Sequence, residues 1–169
     1  MIERYIWDIY TDGSCNSKNR LGGCGVYMVN KTTGEEIFFR EGYCNTTTPR
    51  MEMRAIINAL ELLPKGNPIK ARIVCDSEFV VKFMNHHISR CLGNGNNIIN
   101  DYSNADLWNE ILLQLRNHPL AKVGIMWLKG GSHQKDEVSD DAVGNNIADR
   151  LANYKKFNDN ERIRDSWLY

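Results

Sequence analysis

Four acidic residues stand out by their positions in the chain. Asp12 closes a strand-like run and is followed at once by Gly13, and Asp76 closes a second, apolar run. Each acidic residue taken alone is typical of a turn or a solvated surface charge. Gathered in one place, however, carboxylates repel one another unless cations neutralise them, and hard oxygen ligands select Mg²⁺ or Mn²⁺. The full set is Asp12, Glu52, Asp76 and Asp149.

The chemistry open to such a set is phosphoryl transfer. Two divalent ions roughly 4 Å apart stabilise the attacking and the leaving oxygen of an in-line displacement at phosphorus. Zinc is not expected, because the sequence has no Cys/His pairs at the spacing that zinc sites use.

Composition limits the class of protein. The chain has 169 residues, of which 42% are hydrophobic, so it is long enough for one domain with a real core. Lys plus Arg and Asp plus Glu are both 21, which gives a formal net charge of zero. A protein that binds nucleic acid through charge alone is usually basic. A polyanionic partner would therefore need local basic patches or metal ions.

Cysteine usage and the N-terminus point to a compartment. The five cysteines form no CxxC pair and are odd in number, which favours reduced thiols in a reducing environment. The segment Met1–Arg4 lacks the basic start and apolar core of a signal peptide, and no apolar run is long enough to cross a membrane. We expect a cytoplasmic monomer that has no contact with membranes.

The first half of the chain predicts a meander and a helix. Three segments rich in β-branched and aromatic residues predict antiparallel strands over Tyr5–Thr11, Gly25–Asn30 and Glu36–Arg40. Thr48-Pro49 then predicts a helix start, and Pro64-Lys65-Gly66 a helix end. Glu52 falls near the helix start, on nearly the same side as its apolar stripe.

The second half alternates strands and helices. A strand over Ala71–Cys75 leads into a helix from Glu78 to about Asn85, and residues 86–104 read as a loop or a short helix. A helix around Leu107–Leu115, a strand around Val123–Trp127 and a helix from Val143 to about Phe157 follow. This order predicts an α+β fold of three layers, with helices flanking a five-stranded mixed sheet.

The predicted domain spans residues 1–157, and the tail, 158–169, ends in an apolar group that is able to dock on it. If the strands that bear Asp12 and Asp76 are neighbours, their ends meet at one edge of the sheet. Helices packed on the sheet would bring Glu52 and Asp149 to the same edge.

Four segments together resemble the motifs of the type 1 ribonuclease H family. Thr11-Asp12-Gly13-Ser14 alone is a weak signal, but all four segments occur in the family's order and at similar separations. The likeness covers about residues 4–157. The other segments are Arg50-Met51-Glu52, Cys75-Asp76-Ser77 and Gly144–Ala152.

This resemblance implies an endonuclease that hydrolyses the RNA strand of an RNA–DNA hybrid and leaves 5′-phosphate and 3′-hydroxyl ends. It implies two Mg²⁺ ions, with Mn²⁺ as a substitute, held by Asp12, Glu52, Asp76 and Asp149. Glu52 would also accept a hydrogen bond from a ribose 2′-hydroxyl, the group that distinguishes RNA from DNA. The implied substrate contacts are Gly13, Ser14, Cys15, Asn16, Thr48, Arg50 and Asn145.

The sequence departs from the family pattern in two loops. The family often has a histidine directly after a Lys-Gly pair before the last helix, whereas here Lys129-Gly130 is followed by Gly131, and the nearest histidine is His133. We expect His133 to take the catalytic loop role. Residues 86–104 lack the basic, tryptophan-bearing protrusion of many relatives, so weaker hybrid binding is expected.

Two other functions stay open at this point. A module of the same fold could bind hybrids or structured RNA without cutting, although clustered negative charge does not help a protein to bind phosphates. A nuclease of the same fold could act on DNA or on exposed ends instead.

Overall fold

A mixed β-sheet runs through the centre of the molecule. The computed structural model describes residues 6–98, 100–129 and 139–166, and within these ranges the sheet has six strands in the order β5-β4-β1-β2-β3-β6. Strands β1, β2 and β3 pair antiparallel, whereas β1 with β4, β4 with β5, and β3 with β6 pair parallel. The strands are β1 (Trp7–Cys15), β2 (Gly22–Asn30), β3 (Glu36–Cys44), β4 (Ile69–Cys75), β5 (Ala121–Trp127) and β6 (Arg162–Arg164).

Helices cover both faces of the sheet, and the alternation of side chains along the strands explains why. In β1, Ile9 belongs to the larger apolar core, whereas its neighbour Tyr10 belongs to a smaller core on the other face, with Ala148 of the last helix. The described helices are α1 (Thr48–Leu62), α2 (Glu78–Phe83), α3 (Ser89–Asn94), α4 (Ala105–Arg116) and α5 (Asp140–Ala152).

The predicted fold class is confirmed, with one strand more than predicted. The additional strand, β6, lies in the C-terminal segment and pairs with Gly42–Cys44 of β3. Its three residues, Arg162-Ile163-Arg164, are too few to show the period-two alternation by which strands are recognised in a sequence.

Several element boundaries differ from prediction, and three of the differences concern the helices. Helix α1 is capped by Thr47, one residue earlier than predicted, and the Thr47 side chain accepts a hydrogen bond from the Arg50 N–H. The segment after α2 stays helical through a π-helical turn, Met84–Ile88, into α3. Helix α5 ends at Ala152, where the side chain of Asn153 accepts from the Lys155 N–H and starts a separate 3₁₀ turn.

Helix α5 lies unusually close to the sheet. Side chains at Gly25 and Gly144 would overlap the backbone of α5 and the ring of Tyr10, respectively. The absence of a Cβ at these two positions therefore lets α5 pass directly over β1 and β2, which brings its residues toward the strand that carries Asp12.

Candidate active site

Asp12 and Asp76 lie beside each other at one edge of the sheet. Strands β1 and β4 are parallel neighbours, and their register pairs Thr11 with Cys75. The residues that follow these two are Asp12 and Asp76. Asp12 is only 6% exposed. The carboxyl ends of parallel strands are where ligands gather in sheets of this kind.

Glu52 reaches the same edge from helix α1. Its side chain is 6% exposed, and its neighbours Met51 and Met53 have no exposed surface, so the helix start is buried on several sides. Gly13 allows this approach because a side chain there would overlap the backbone of Met51 and Glu52. The backbone N–H of Gly13 also lies near the carboxylates of Asp12 and Glu52 and partly offsets the rise in the pKa of each.

Asp149 reaches the site from helix α5 and is exposed to solvent. Its carboxyl group lies close enough to that of Asp12 to raise the pKa of Asp12. The start of the helix is fixed to the sheet two turns earlier, where Asp141 accepts hydrogen bonds from Tyr10 at 2.9 Å and from Arg72 at 2.8 Å. The structure thus brings all four predicted carboxylates to a single edge.

The charges in this cluster oppose one another. Burial, followed by the charges of Asp76 and Asp149, raises the pKa of Asp12 to about 8. Burial and the charges of Asp12 and Asp76 raise the pKa of Glu52 well above its usual value. A divalent cation would relieve this repulsion, and oxygen donors of this type suit Mg²⁺. The donor set therefore fits a divalent metal site.

The segment after Asp12 is tied to the C-terminal end of α5. The Ser14 hydroxyl donates to the Ala152 carbonyl and accepts from the Tyr154 N–H, and the Asn16 amide donates to the Tyr154 hydroxyl. The Cys15 thiol lies 3.5 Å from the Thr46 carbonyl oxygen. These predicted substrate contacts thus also hold two parts of the chain together.

The remaining predicted contacts are divided between surface and interior. Thr48 is exposed at the first turn of α1. Asn145 is 1% exposed, one turn before Asp149, and its Oδ1 has no hydrogen-bond partner among the described residues. Arg50 has no exposed surface and is bonded to Asp165 and Asp106. Its guanidinium cannot meet a phosphate in this position, so Arg50 lies outside the proposed substrate surface. His133 lies outside the described residues.

Sequence reasoning missed two groups that support the site. Asp165 pairs with Arg50 across 115 positions of sequence, and Arg72 joins Asp8 to Asp141. Neither pair has a local pattern, because contacts between residues so far apart leave no periodicity. The motif around Arg50 drew attention to that residue but did not distinguish a structural from a binding role.

Comparison with known proteins agrees with this geometry. The family model described as RNase H matches residues 5–156. The chain belongs to the RNase H family. Two curated proteins named ribonuclease H are similar to it over most of their length. That of Thermoanaerobacter sp. (strain X514) is 33% identical over 151 residues, which cover 87% of each chain. That of Pseudomonas fluorescens (strain Pf0-1) is 31% identical over 153 residues, 88% of this chain and 94% of that one.

Solved structures share the RNase H fold. The RNase H domain of PFV superposes with a TM-score of 0.68 at 24% identity, covering 89% of this chain and 94% of that chain. LC9-RNase H1, described as a type 1 RNase H with the type 2 active-site motif, gives a TM-score of 0.65 at 22% identity, covering 90% of this chain and 72% of that chain. In the described part of this RNase H family member, no helix has the length and apolar character that a bilayer crossing requires.

Proposed function

We propose that this protein is an endonuclease that hydrolyses the RNA strand of RNA–DNA hybrids, leaving 5′-phosphate and 3′-hydroxyl ends. One observation carries the proposal: Asp12, Glu52, Asp76 and Asp149 converge at one sheet edge in a chain of the RNase H family. A protein that only binds nucleic acid gains nothing from four carboxylates that face phosphates, because they repel the ligand.

The proposed cofactor is Mg²⁺, two ions per site, with Mn²⁺ as a substitute. Asp12, Glu52, Asp76 and Asp149 would hold the ions. When bound, such ions stabilise the attacking and leaving oxygens of an in-line phosphoryl displacement. The raised pKa of Asp12, about 8, and that of Glu52 support this assignment, since a cation would offset the repulsion that raises them.

The protein's own residues would orient the cluster and recognise the substrate. Gly13 lets Glu52 approach the strand that carries Asp12, because a side chain at Gly13 would overlap the backbone of Met51 and Glu52. Glu52 would accept a hydrogen bond from the ribose 2′-hydroxyl, by resemblance to the family, and so select RNA. Asn145, one turn from Asp149, is buried with an unpartnered Oδ1, so the substrate contact proposed for it rests on the resemblance to the family.

The substrate surface would extend along the segment Gly13–Asn16 and the exposed Thr48. Tyr154 and Ala152 hold this segment through Ser14 and Asn16. The catalytic role proposed for His133 rests on the sequence alone.

The test is cleavage of a hybrid with a labelled RNA strand. We expect cutting with Mg²⁺ and none with EDTA, and we expect Asp12→Asn and Asp76→Asn to abolish cutting while circular dichroism stays unchanged. Glu35→Gln, an exposed carboxylate in the β2–β3 turn, is the matched control and should cut at the normal rate.

A substrate panel separates the proposal from its rivals. Parallel reactions with double-stranded RNA, duplex DNA and single strands should give no product. Cutting of DNA, or tight hybrid binding without cutting in Mg²⁺ or Mn²⁺, would refute the proposal and favour another nuclease or a binding module.

A further inference from the structure

A thiol lies within the cluster of carboxylates. Cys75, the last residue of β4, has no exposed surface, and its Sγ is 4.0 Å from Oε2 of Glu52. One ligand atom from each of Glu52, Cys75 and Asp76 lies within 4.8 Å of the other two. A single cation placed among them could therefore contact all three.

We infer that Glu52, Cys75 and Asp76 form a binding site for a soft divalent cation, Cd²⁺ or Zn²⁺, and that this cation inhibits the enzyme by occupying the catalytic cluster. Thiolate sulfur is a ligand that soft metals prefer and that Mg²⁺ avoids, so the thiol changes which metals the cluster retains. The inhibition, but not the binding, rests on the function proposed above.

A buried hydroxyl beside the sulfur supports this site independently. Thr11 has no exposed surface, and its Oγ1 lacks a hydrogen-bond partner among the residues that the structure describes. Thr11 stands opposite Cys75 in the register of β1 and β4, where its hydroxyl is placed to donate to a negatively charged sulfur. The backbone N–H of Ser77 already donates to the same sulfur at 3.4 Å. The Thr11 hydroxyl and the Ser77 N–H are therefore two donors directly beside the sulfur that would bind the metal.

Binding requires only that the metal ion replace the proton of the Cys75 thiol. The S–H bond of Cys75 breaks, its proton passes to solvent, and a sulfur–metal bond forms, with no oxidation or reduction. The carboxylates of Glu52 and Asp76 supply oxygen ligands of the kind that zinc also accepts. Within residues 6–98, 100–129 and 139–166, no other group of three His, Cys, Asp or Glu side chains has this spacing.

The other cysteines provide the controls. Cys15 and Cys44 are partly exposed and would bind soft metals on their own, so both are replaced by serine in the test background. Cys91 is a buried thiol in α3, outside the cluster, and Cys91→Ser is therefore the matched control for Cys75→Ser.

The first measurement is direct binding. Cd²⁺ is added to the test-background protein in a non-thiol reductant, and the ultraviolet sulfur-to-cadmium charge-transfer band is recorded. We expect the band to saturate at one equivalent, to persist in Cys91→Ser and to disappear in Cys75→Ser. Cys75→Ala is measured in parallel so that a folding defect in either variant, detected by circular dichroism, does not stop the comparison. A band of unchanged size without Cys75 would overturn the inference.

The second measurement is inhibition of hybrid cleavage in Mg²⁺. Each variant is normalised to its own cadmium-free rate. The Cd²⁺ concentration for half inhibition should rise about tenfold or more in Cys75→Ser, because loss of even an outer partner of a metal ligand has effects of this size, and stay unchanged in Cys91→Ser. Equal inhibition in both would refute the inhibitory role. Failure of the cadmium-free wild-type protein, with Cys15 and Cys44 intact, to cut hybrids would instead refute the proposed function and leave the absorbance result standing.

Discussion

Arg50 and Asp165 form an ion pair in which neither side chain has any exposed surface. The Arg50 Nε lies 2.6 Å from Asp165 Oδ2, and the same carboxylate accepts from Arg54 at 2.9 Å and from the Thr46 hydroxyl at 2.8 Å. The pair joins the C-terminal segment to the first turn of α1, two residues before Glu52. The C-terminal segment is therefore part of the structure that supports the site.

Asp165→Asn should reduce the free energy of unfolding by about 3 kcal/mol, because it leaves a buried guanidinium without one of its partner charges. Urea unfolding followed by circular dichroism measures this change. Asp159→Asn, whose side chain is 97% exposed, is the control and should change stability by less than about 0.5 kcal/mol. Equal effects of the two substitutions would contradict a supporting role for Asp165.

The same pair predicts an acid-sensitive fold. Burial opposes ionisation of Asp165, but hydrogen bonds from Arg50, Arg54 and Thr46 outweigh it and lower its pKa. A carboxyl group with a lowered folded pKa stabilises the protein above its unfolded pKa, and that stability is lost as the pH falls below about 4. Acid titration should therefore show a larger loss of stability in the wild type than in Asp165→Asn.

Ionisation of Asp12 has the opposite effect on stability to that of Asp165. Its pKa in the folded, metal-free protein is about 8, whereas an unfolded chain would give about 3.9. Between these values the folded state binds more protons, so this group lowers the free energy of unfolding as the pH rises. In EDTA, Asp12→Asn should therefore be more stable than the wild type at about pH 8, by about 1 kcal/mol or more.

Urea unfolding in EDTA at about pH 5.5 and about pH 8 tests this linkage, and the advantage of Asp12→Asn should shrink at the lower pH. Adding Mg²⁺ should stabilise the wild type more than the variant, since the cation offsets the same repulsion. A variant that is less stable than the wild type at the higher pH would show that the charge of Asp12 does not destabilise the folded protein.

Most of the carboxylate cluster could be predicted from the sequence, but the residues that hold it in place could not. Asp12 and Asp76 follow strands whose apolar runs are plain, and Glu52 and Asp149 stand in recognisable motifs, so the cluster could be predicted before the fold was known. The partner of Arg50 could not, because Asp165 lies in a polar tail whose three-residue strand has no periodicity. The helical structure of residues 84–94 was also ambiguous in the sequence. Its polar residues and its glycine are typical of a loop, and the helix is stabilised by contacts with other parts of the fold.

The role of Cys75 was also invisible to sequence reasoning. A cysteine at the end of an apolar strand reads as a small core residue, and most such residues are no more than that. Only the distance from its sulfur to Glu52, a residue of another element, distinguishes it.

Gly13→Ala should separate positioning from folding. The added methyl group would overlap the backbone of Met51 and Glu52 and push α1 away from β1. We expect a cleavage rate about 100-fold lower, since displacements near 1 Å at a catalytic group have effects of this size, and a stability loss of about 1–3 kcal/mol. Single-turnover cleavage and urea unfolding measure the two quantities.

Gly93→Ala is the matched control. Gly93 lies in α3 with open space around it, so alanine should leave cleavage unchanged and raise stability by roughly 0.5–1 kcal/mol through helix propensity. If Gly13→Ala cut hybrids at the normal rate, the close approach of Gly13 to Glu52 would have no part in catalysis.

Arg72→Met should weaken the hold on helix α5. Arg72 bonds to Asp8 at 3.1 Å and to Asp141 at 2.8 Å, and Asp141 stands two turns before Asp149 on the same helix. Because these side chains are partly exposed, we expect a stability loss of only about 1 kcal/mol. We also expect the Mg²⁺ concentration for half-maximal cleavage to rise about threefold or more, as for other residues that orient metal ligands.

Lys82→Met is the control for this prediction. It removes an exposed ion pair with Glu78 and should change neither quantity. An unchanged Mg²⁺ requirement in Arg72→Met, measured beside that control, would mean that the start of α5 does not position Asp149.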